Sequence, residues 1–265
     1  MFATVCVLSY ERLAFLKDCI GSMLARADAD FELVVHDDGS RDPELRRWLL
    51  QMSEEGVIST LLMNSPGWNE GQGIAFNRMA AVAKGDPIIK CDQDLIFDSG
   101  WLRKVQAVLE ENQAEGFEGC VHTGGCPHPE ECDPTHPVCE DRAPLIGALG
   151  IFRYPVEPVK YEEMLIAEHG GWQEHRDFVG SFIAIPRTAW ELFGPWSERS
   201  AAFAEDNEFK LKIAATEGWC CALTTEELAM NQGFGVGPST LVLGYEPGEV
   251  KEIKPGPKVY EPQGV

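Results

Sequence analysis

Two carboxylates one residue apart, Asp92-Gln93-Asp94, close a short apolar run at Pro87 to Cys91. In an extended segment residues i and i+2 point the same way, so both acids are expected to face one point. Such a pair suits a hard divalent cation that shares its shell with substrate phosphates. The cation would neutralise charge building on a departing diphosphate. Asp-x-Asp is also what a solvated turn looks like, and its place after a buried strand is what favours metal. A second pair, Glu205-Asp206, heads a helical pattern over Ala204 to Glu217. A carboxylate there can act as a general base if a neighbouring acid raises its proton affinity, or it can simply charge the helix start. A third cluster, Asp37-Asp38-Gly39-Ser40, ends another apolar run, and Ser9-Tyr10-Glu11 ends the first.

A different chemistry is suggested between residues 120 and 144. Cys120, Cys126, Cys132 and Cys139 are interleaved with His122, His128 and His136. Thiolate and imidazole are zinc ligands, and four close a structural site. The four cysteines are the simplest set and the histidines the alternates. The spacing fits no familiar zinc finger, and unused thiols or a disulfide are the competing readings. Cys6, Cys19 and Cys91 sit inside apolar patterns and read as core.

These groups need a frame. Ala3 to Leu8, Phe31 to Val35, Val57 to Met63 and Pro87 to Cys91 read as strands. Helical spacing separates them at Leu13 to Leu24, from Pro43 to Met52 and at Gly71 to Lys84. Alternation of this kind predicts a mainly parallel α/β sheet covered on both faces, with ligands at the carboxyl ends of its strands. The three polar clusters fall at those ends. Further on, Phe178 to Ile185 and Trp219 to Leu223 read as strands and Arg187 to Phe193 as a short helix. Asn231 to Gly237 is a glycine-rich loop, either a lid or an ordinary connection. Trp172 and Trp196 lie in this half and suit sugar stacking or a core. The predicted organisation is one domain over 1–244, with a nucleotide-binding half (1–98) and an acceptor half (99–244) that holds the Cys/His-rich insertion (120–144). An extended Pro/Gly-rich tail follows (245–265).

The chain has 265 residues with 43 acidic and 22 basic side chains, a net charge of -21. That surface disfavours broad nucleic-acid binding without forbidding a local diphosphate pocket. Met1 to Leu8 carries no basic leader, and no segment approaches the ~20 apolar residues of a membrane span. The expectation is a soluble cytoplasmic protein with no membrane insertion.

Six fragments, in order, resemble the inverting family 2 glycosyltransferases of the GT-A nucleotide-sugar fold. They are Val5 to Tyr10, Val34 to Asp42, Gly71 to Arg78, Asp92 to Asp94, Val179 to Phe182 with Arg187, and Glu205 to Phe209. The resemblance spans about Ala3 to Leu223. It implies hexosyl transfer from a nucleoside-diphosphate sugar, commonly a UDP-sugar, to a glycan or other hydroxyl acceptor, with Mn2+ or Mg2+ as cofactor. It implies Asp38 on the nucleobase with Asp37 supporting the turn, and Ser9, Tyr10 and Glu11 beside the nucleoside. Arg78 would lie near the diphosphate or hold Asp92, and Gln93 would lie at the donor. Asp94 would be the main metal ligand, with Asp92 on ribose or on metal through water. Asp206 would be the general base, flanked by Glu205. Two departures stand out. Glu11 replaces a common Asn, and no His follows His175 to complete the metal shell, so Asn231 or Gln232 takes that place. A nucleotidyltransferase would need a glycine- and basic-rich loop after the first strand, where Ser9-Tyr10-Glu11-Arg12 stands instead. A catalytically inactive sugar-nucleotide-binding module is the other alternative.

Overall fold

A computed structural model of the protein describes residues 1–118, 144–154, 165–175, 180–198 and 205–231. The chain begins as expected: β1 (Ala3–Ser9), α1 (Leu13–Arg26), β2 (Phe31–Asp37), α2 (Pro43–Glu54), β3 (Thr60–Met63), α3 (Gln72–Val82) and β4 (Ile88–Asp92). After it come β5 (Leu95–Phe97), α4 (Trp101–Glu118), β6 (Leu145–Tyr154), β7 (Leu165–His169) and β8 (Trp172–His175). The last described elements are β9 (Phe182–Ile185), α5 (Arg187–Phe193), α6 (Glu205–Ala214) and β10 (Trp219–Asn231). The Cys/His-rich insertion, with every proposed zinc ligand, lies outside the described residues, as do residues 232–265.

The strands form one sheet in the order β3-β2-β1-β4-β9-β6-β10-β8-β7, with β5 paired to β10. β3, β2, β1 and β4 are mutually parallel, which the alternation with helices requires. β9 then runs antiparallel to β4, β10 is parallel to β6, and β8 and β7 add an antiparallel hairpin. The sheet beyond β4 is therefore mixed rather than parallel. Among the described residues no helix is long and apolar enough to cross a membrane.

Strand alternation divides the interior into two layers. Val5, Val7, Ile89 and Cys91 face a layer that includes Leu16, Ile20, Leu45, Leu49, Trp101 and Leu109 from α1, α2 and α4. Cys6, Val34, Ile88 and Ile183 face the other, with Phe76, Met79, Phe193, Phe209 and Ile213 from α3, α5 and α6. Trp172 and Trp196 are buried, and Trp196 lies 4.4 Å from the Phe76 ring. Both are core residues, unavailable for stacking on a sugar. α2 starts at Pro43 as expected, and Asp42 caps it, its carboxylate accepting from Glu44 N–H at 2.8 Å.

Three boundaries differ from the sequence reading. β3 begins at Thr60, because residues 53 to 58 turn at the end of α2: Gly56 N–H bonds Ser53 O, and Val57 and Ile58 N–H bond Met52 O. β9 begins at Phe182 rather than near 178. β10 continues past Leu223 to Asn231 through irregular register.

Candidate active site

The carboxyl ends of the parallel strands bring Ser9, Asp37, Met63 and Asp92 to one edge of the sheet, since Ser9 pairs with Asp37, Asp37 with Met63, and Leu8 with Asp92. The turn after β1 is strained. Glu11 and Arg12 both have left-handed backbones, φ 53° and 60°, at about 1–3 kcal/mol each. Side chains from three other segments hold it. Gln93 clasps the Tyr10 backbone, accepting from its N–H at 3.1 Å and donating to its carbonyl at 2.9 Å. Ser40 Oγ accepts the Glu11 N–H at 2.7 Å. The Glu11 carboxylate in turn accepts Arg41 N–H at 2.7 Å and Asp42 N–H at 3.3 Å. Glu11 and Gln93, expected at the donor, are thus committed to the turn. What the turn displays is the Tyr10 ring, which is exposed.

Asp37 is fully buried. Burial pushes its carboxyl above the ordinary range, while bonds from Ser40 and the Arg46 guanidinium pull the other way. Asp38 is also buried and holds a loop. Its Oδ1 accepts from Asn64 Nδ2 and Glu70 N–H, each at 2.9 Å, and its Oδ2 accepts from Gly71 N–H at 3.0 Å. Gly39 is required where that loop passes: its φ is 85°, and a Cβ would lie 2.3 Å from Trp68 O.

Beside Asp38 lies a buried polar group. His36 Nδ1 is 3.4 Å from Ala75 O and its Nε2 is 3.6 Å from Glu70 Oε1. Arg78 Nη1 lies 2.9 Å from the same Glu70 oxygen and 3.4 Å from Asn64 Oδ1. His36, Asn64 and Arg78 line a cavity of about 360 Å³ with Leu62, Met63, Ala81 and Val82. Arg78 is therefore on the Asp38 side of the site and does not hold Asp92. His36, Asp38 and Glu70 bring ligand atoms within 4.8 Å of one another. A cation there would compete with the Arg78 guanidinium for Glu70 and with three N–H donors for Asp38, so the group reads better as a hydrogen-bonded network around Asp38.

The Asp92-Gln93-Asp94 segment is not extended. Asp92 ends β4, Gln93 and Asp94 form a turn, and β5 follows. Strand alternation therefore does not set the two carboxylates on one face. Each acid instead has its own cation: Arg12 Nη1 lies 3.2 Å from Asp94 Oδ2, and Lys90 Nζ bonds Asp92 Oδ1. The donor set is all carboxylate oxygen, which fits a hard divalent ion in competition with the Arg12 guanidinium. Backbone pairing sets Asn231 opposite Leu95, next to Asp94 in the chain.

Asp206 stands in the first turn of α6, nine-tenths buried, with Lys210 Nζ 3.0 Å from its Oδ2. Gly180 backs directly onto that carboxylate, since a Cβ there would be 2.1 Å from Oδ2. Lys90 Nζ also donates to Gly180 O at 2.6 Å. Gly180 falls in the Val179 to Phe182 fragment, whereas Lys90 and Lys210, which bond Asp92 and Asp206, were not singled out from sequence. A lone lysine inside the apolar run Ile88-Ile89-Lys90-Cys91, and a lysine four residues after Asp206, were the available signals.

The description Glycosyl transferase family 2 matches residues 4–127. An uncharacterized glycosyltransferase of Nostoc sp. (strain PCC 7120) is 30% identical over 122 residues, covering 46% of this chain and 36% of that protein. The chain thus spans about a third of this curated relative's length. Among solved structures, S. aureus TarS superposes with TM-score 0.56 at 17% identity, covering 88% of this chain and 37% of that one. The mannosyltransferase PcManGT of Pyrobaculum calidifontis, in complex with GDP-Man and Mn2+, gives TM-score 0.53 at 16% identity, covering 87% and 56%. GalNAc-T7 with UDP, GalNAc and Mn2+ gives 0.58 at 15% identity, covering 92% and 46%. At such identities the likeness is one of fold.

Proposed function

We propose, from the match of residues 4–127 to glycosyl transferase family 2 and the GT-A type of fold, that the protein moves a sugar from a nucleoside-diphosphate sugar to an acceptor hydroxyl with inversion. The observation that carries this reading is the convergence on Gly180. Lys90 ties Asp92 to the Gly180 carbonyl, and the other side of the same glycine touches Asp206. A donor-side acid and an acceptor-side acid are thereby held on one wall of one site.

Each group then has a task. The Tyr10 ring and the Asp38 region receive the nucleoside. Asp38 has three of about four carboxylate lone pairs in use, so one acceptor position is left on Oδ2. One position suits the single imide N–H of uracil better than the two-donor edge of guanine, which supports a UDP-sugar. Asp94 and Asp92 hold Mn2+ or Mg2+, with Asn231 adjacent in the sheet, and the bound ion supplies charge neutralisation on the leaving diphosphate. Structural relatives crystallised with Mn2+ and nucleotide or nucleotide sugar support that ion. Asp206 takes the proton from the acceptor hydroxyl as its oxygen attacks the anomeric carbon, with Glu205 beside it in the chain. Cys120, Cys126, Cys132 and Cys139 are the proposed zinc ligands, with His122, His128 and His136 as alternates, and metal analysis of the purified protein tests this.

The test is thermal stability with UDP, GDP, TDP or CMP, with and without Mn2+, for wild type and Asp94→Ala. A ligand at a hundred times its Kd adds about 2.7 kcal/mol to the folded state. Stabilisation by UDP that needs Mn2+ and is lost in Asp94→Ala is the expected result. No stabilisation by any nucleotide would remove the proposal's physical basis.

A further inference from the structure

Lys90 is 4% exposed in the middle of β4, between Ile89 and Cys91 and paired across the sheet with Ile183. Burying an ammonium costs several kcal/mol unless it is paired and hydrogen-bonded, so an apolar side chain would serve a plain strand better. Its Nζ donates to two oxygens from separate segments. One is Asp92 Oδ1, two residues on along the same face of β4, and the other is Gly180 O, 2.6 Å away on the approach to β9. The backbone repeats the join, with Asp92 N–H donating to Ser181 O at 2.8 Å. Asp92 itself is about a third exposed, so one carboxylate oxygen is pinned while the side chain still reaches the site.

We propose that Lys90 is a positioning residue that fixes the Asp92 carboxylate, through the anchor at Gly180 O, in the orientation that metal requires. This rests on the reading of Asp92 as a donor-side carboxylate. Lys90 differs from Arg12, the other cation at this edge. Arg12 is 37% exposed and can swing away when an ion arrives. Lys90 is enclosed and tied to a backbone carbonyl, so it stays and acts as an outer partner that orients a ligand. Loss of such partners costs about 10–100-fold in metal affinity.

The experiment is calorimetric titration of UDP with and without Mn2+ into wild type, Lys90→Met, Asp92→Asn and the double variant, each confirmed folded by circular dichroism. Lys90→Gln is the substitute should the methionine variant fail to fold. The expected result is about a 10–100-fold loss of Mn2+-dependent UDP affinity in Lys90→Met. UDP affinity without metal should be unchanged, and Asp92→Asn should show no further loss when Lys90→Met is added. Wild-type affinity in Lys90→Met, tighter binding as from a removed competitor, or an equal loss in the Asp92→Asn background would overturn the role of Lys90 alone. Absence of Mn2+-dependent UDP binding in the wild type would overturn the underlying reading and this inference together.

Discussion

Gly180 leaves the Asp206 carboxylate room for a hydrogen and nothing larger: a methyl at position 180 would stand 2.1 Å from Oδ2 and 2.8 Å from Cγ. Gly180→Ala must therefore displace Asp206, whose Oδ2 also lies 3.0 Å from Lys210 Nζ. Turnover of the UDP-sugar chosen by the nucleotide screen should fall by about 10²–10⁴, the contribution of a general base. UDP and Mn2+ binding should persist. An alanine variant with wild-type turnover would show that Asp206 is not the base in this position.

Arg12 guards Asp94 and should compete with metal. The pair is partly exposed, 37% and 15%, and such pairs contribute about 0.2–1 kcal/mol. Arg12→Gln should then raise Mn2+ affinity in the absence of nucleotide by about 1.5–5-fold. Paramagnetic titration of Mn2+ reads this directly, and weaker binding in the variant would contradict it.

Arg46 compensates the buried Asp37. Removing one partner of a buried pair costs about 3–5 kcal/mol, and the low end applies because the guanidinium reaches solvent. Arg46→Met should lose about 3 kcal/mol in urea unfolding at neutral pH. Burial already holds the Asp37 carboxyl above its ordinary value. Its ionisation therefore costs stability above the folded-state value, and that cost vanishes as pH falls toward the unfolded value near ~3.9. The gap between variant and wild type should narrow on acidification. A gap that is constant with pH would mean that Asp37 is not its source.

His175 supplies the opposite sign. It is buried on β8 opposite Cys221, and burial lowers its pKa below the ordinary value. The neutral ring is thus favoured by folding, so its contribution is whole above ~6.5 and is lost as pH falls through the folded-state value. Between about pH 7.5 and 5.5, His175→Phe should lose less stability than wild type. Parallel pH profiles would rule out this residue as a source of acid sensitivity.

The first half of the fold was legible because one rule governs it. Apolar runs of strand length alternate with helical spacing, and each strand ends in polar residues. Sequence therefore set Asp37 and Asp92 at the carboxyl ends of β2 and β4, with Asp38 and Asp94 just beyond them. The second half departs from the rule. The hairpin Leu165–His175 turns on Gly170 and Gly171, and β10 runs through bulges, so neither presents a clean period of two. Partnership was also hidden. Local sequence does not say that Gln93 spends its amide on Tyr10, that Glu11 answers the N–H groups of Arg41 and Asp42, or that Arg78 turns to Glu70. Those choices follow from which segments the sheet places side by side.

The loop over Asp38 offers a last test of that point. Gly39 holds a φ of 85° and lies against the Trp68 backbone, with O, C and N of Trp68 within 2.3–2.9 Å of a would-be Cβ. Asp38 meanwhile gathers Asn64, Glu70 and Gly71 beneath the same loop. Gly39→Ala adds a left-handed alanine, at about 1–2 kcal/mol, and pushes the loop off its carboxylate. If residues 64–71 form one wall of the nucleotide site, UDP affinity should fall together with stability. Asn64→Ala removes one bond to Asp38 without moving Gly39, and should weaken UDP binding less. Isothermal titration of both variants against wild type decides the matter. A Gly39→Ala protein that is less stable yet binds UDP as before would place the nucleotide away from this loop and leave Asp38 a purely structural residue.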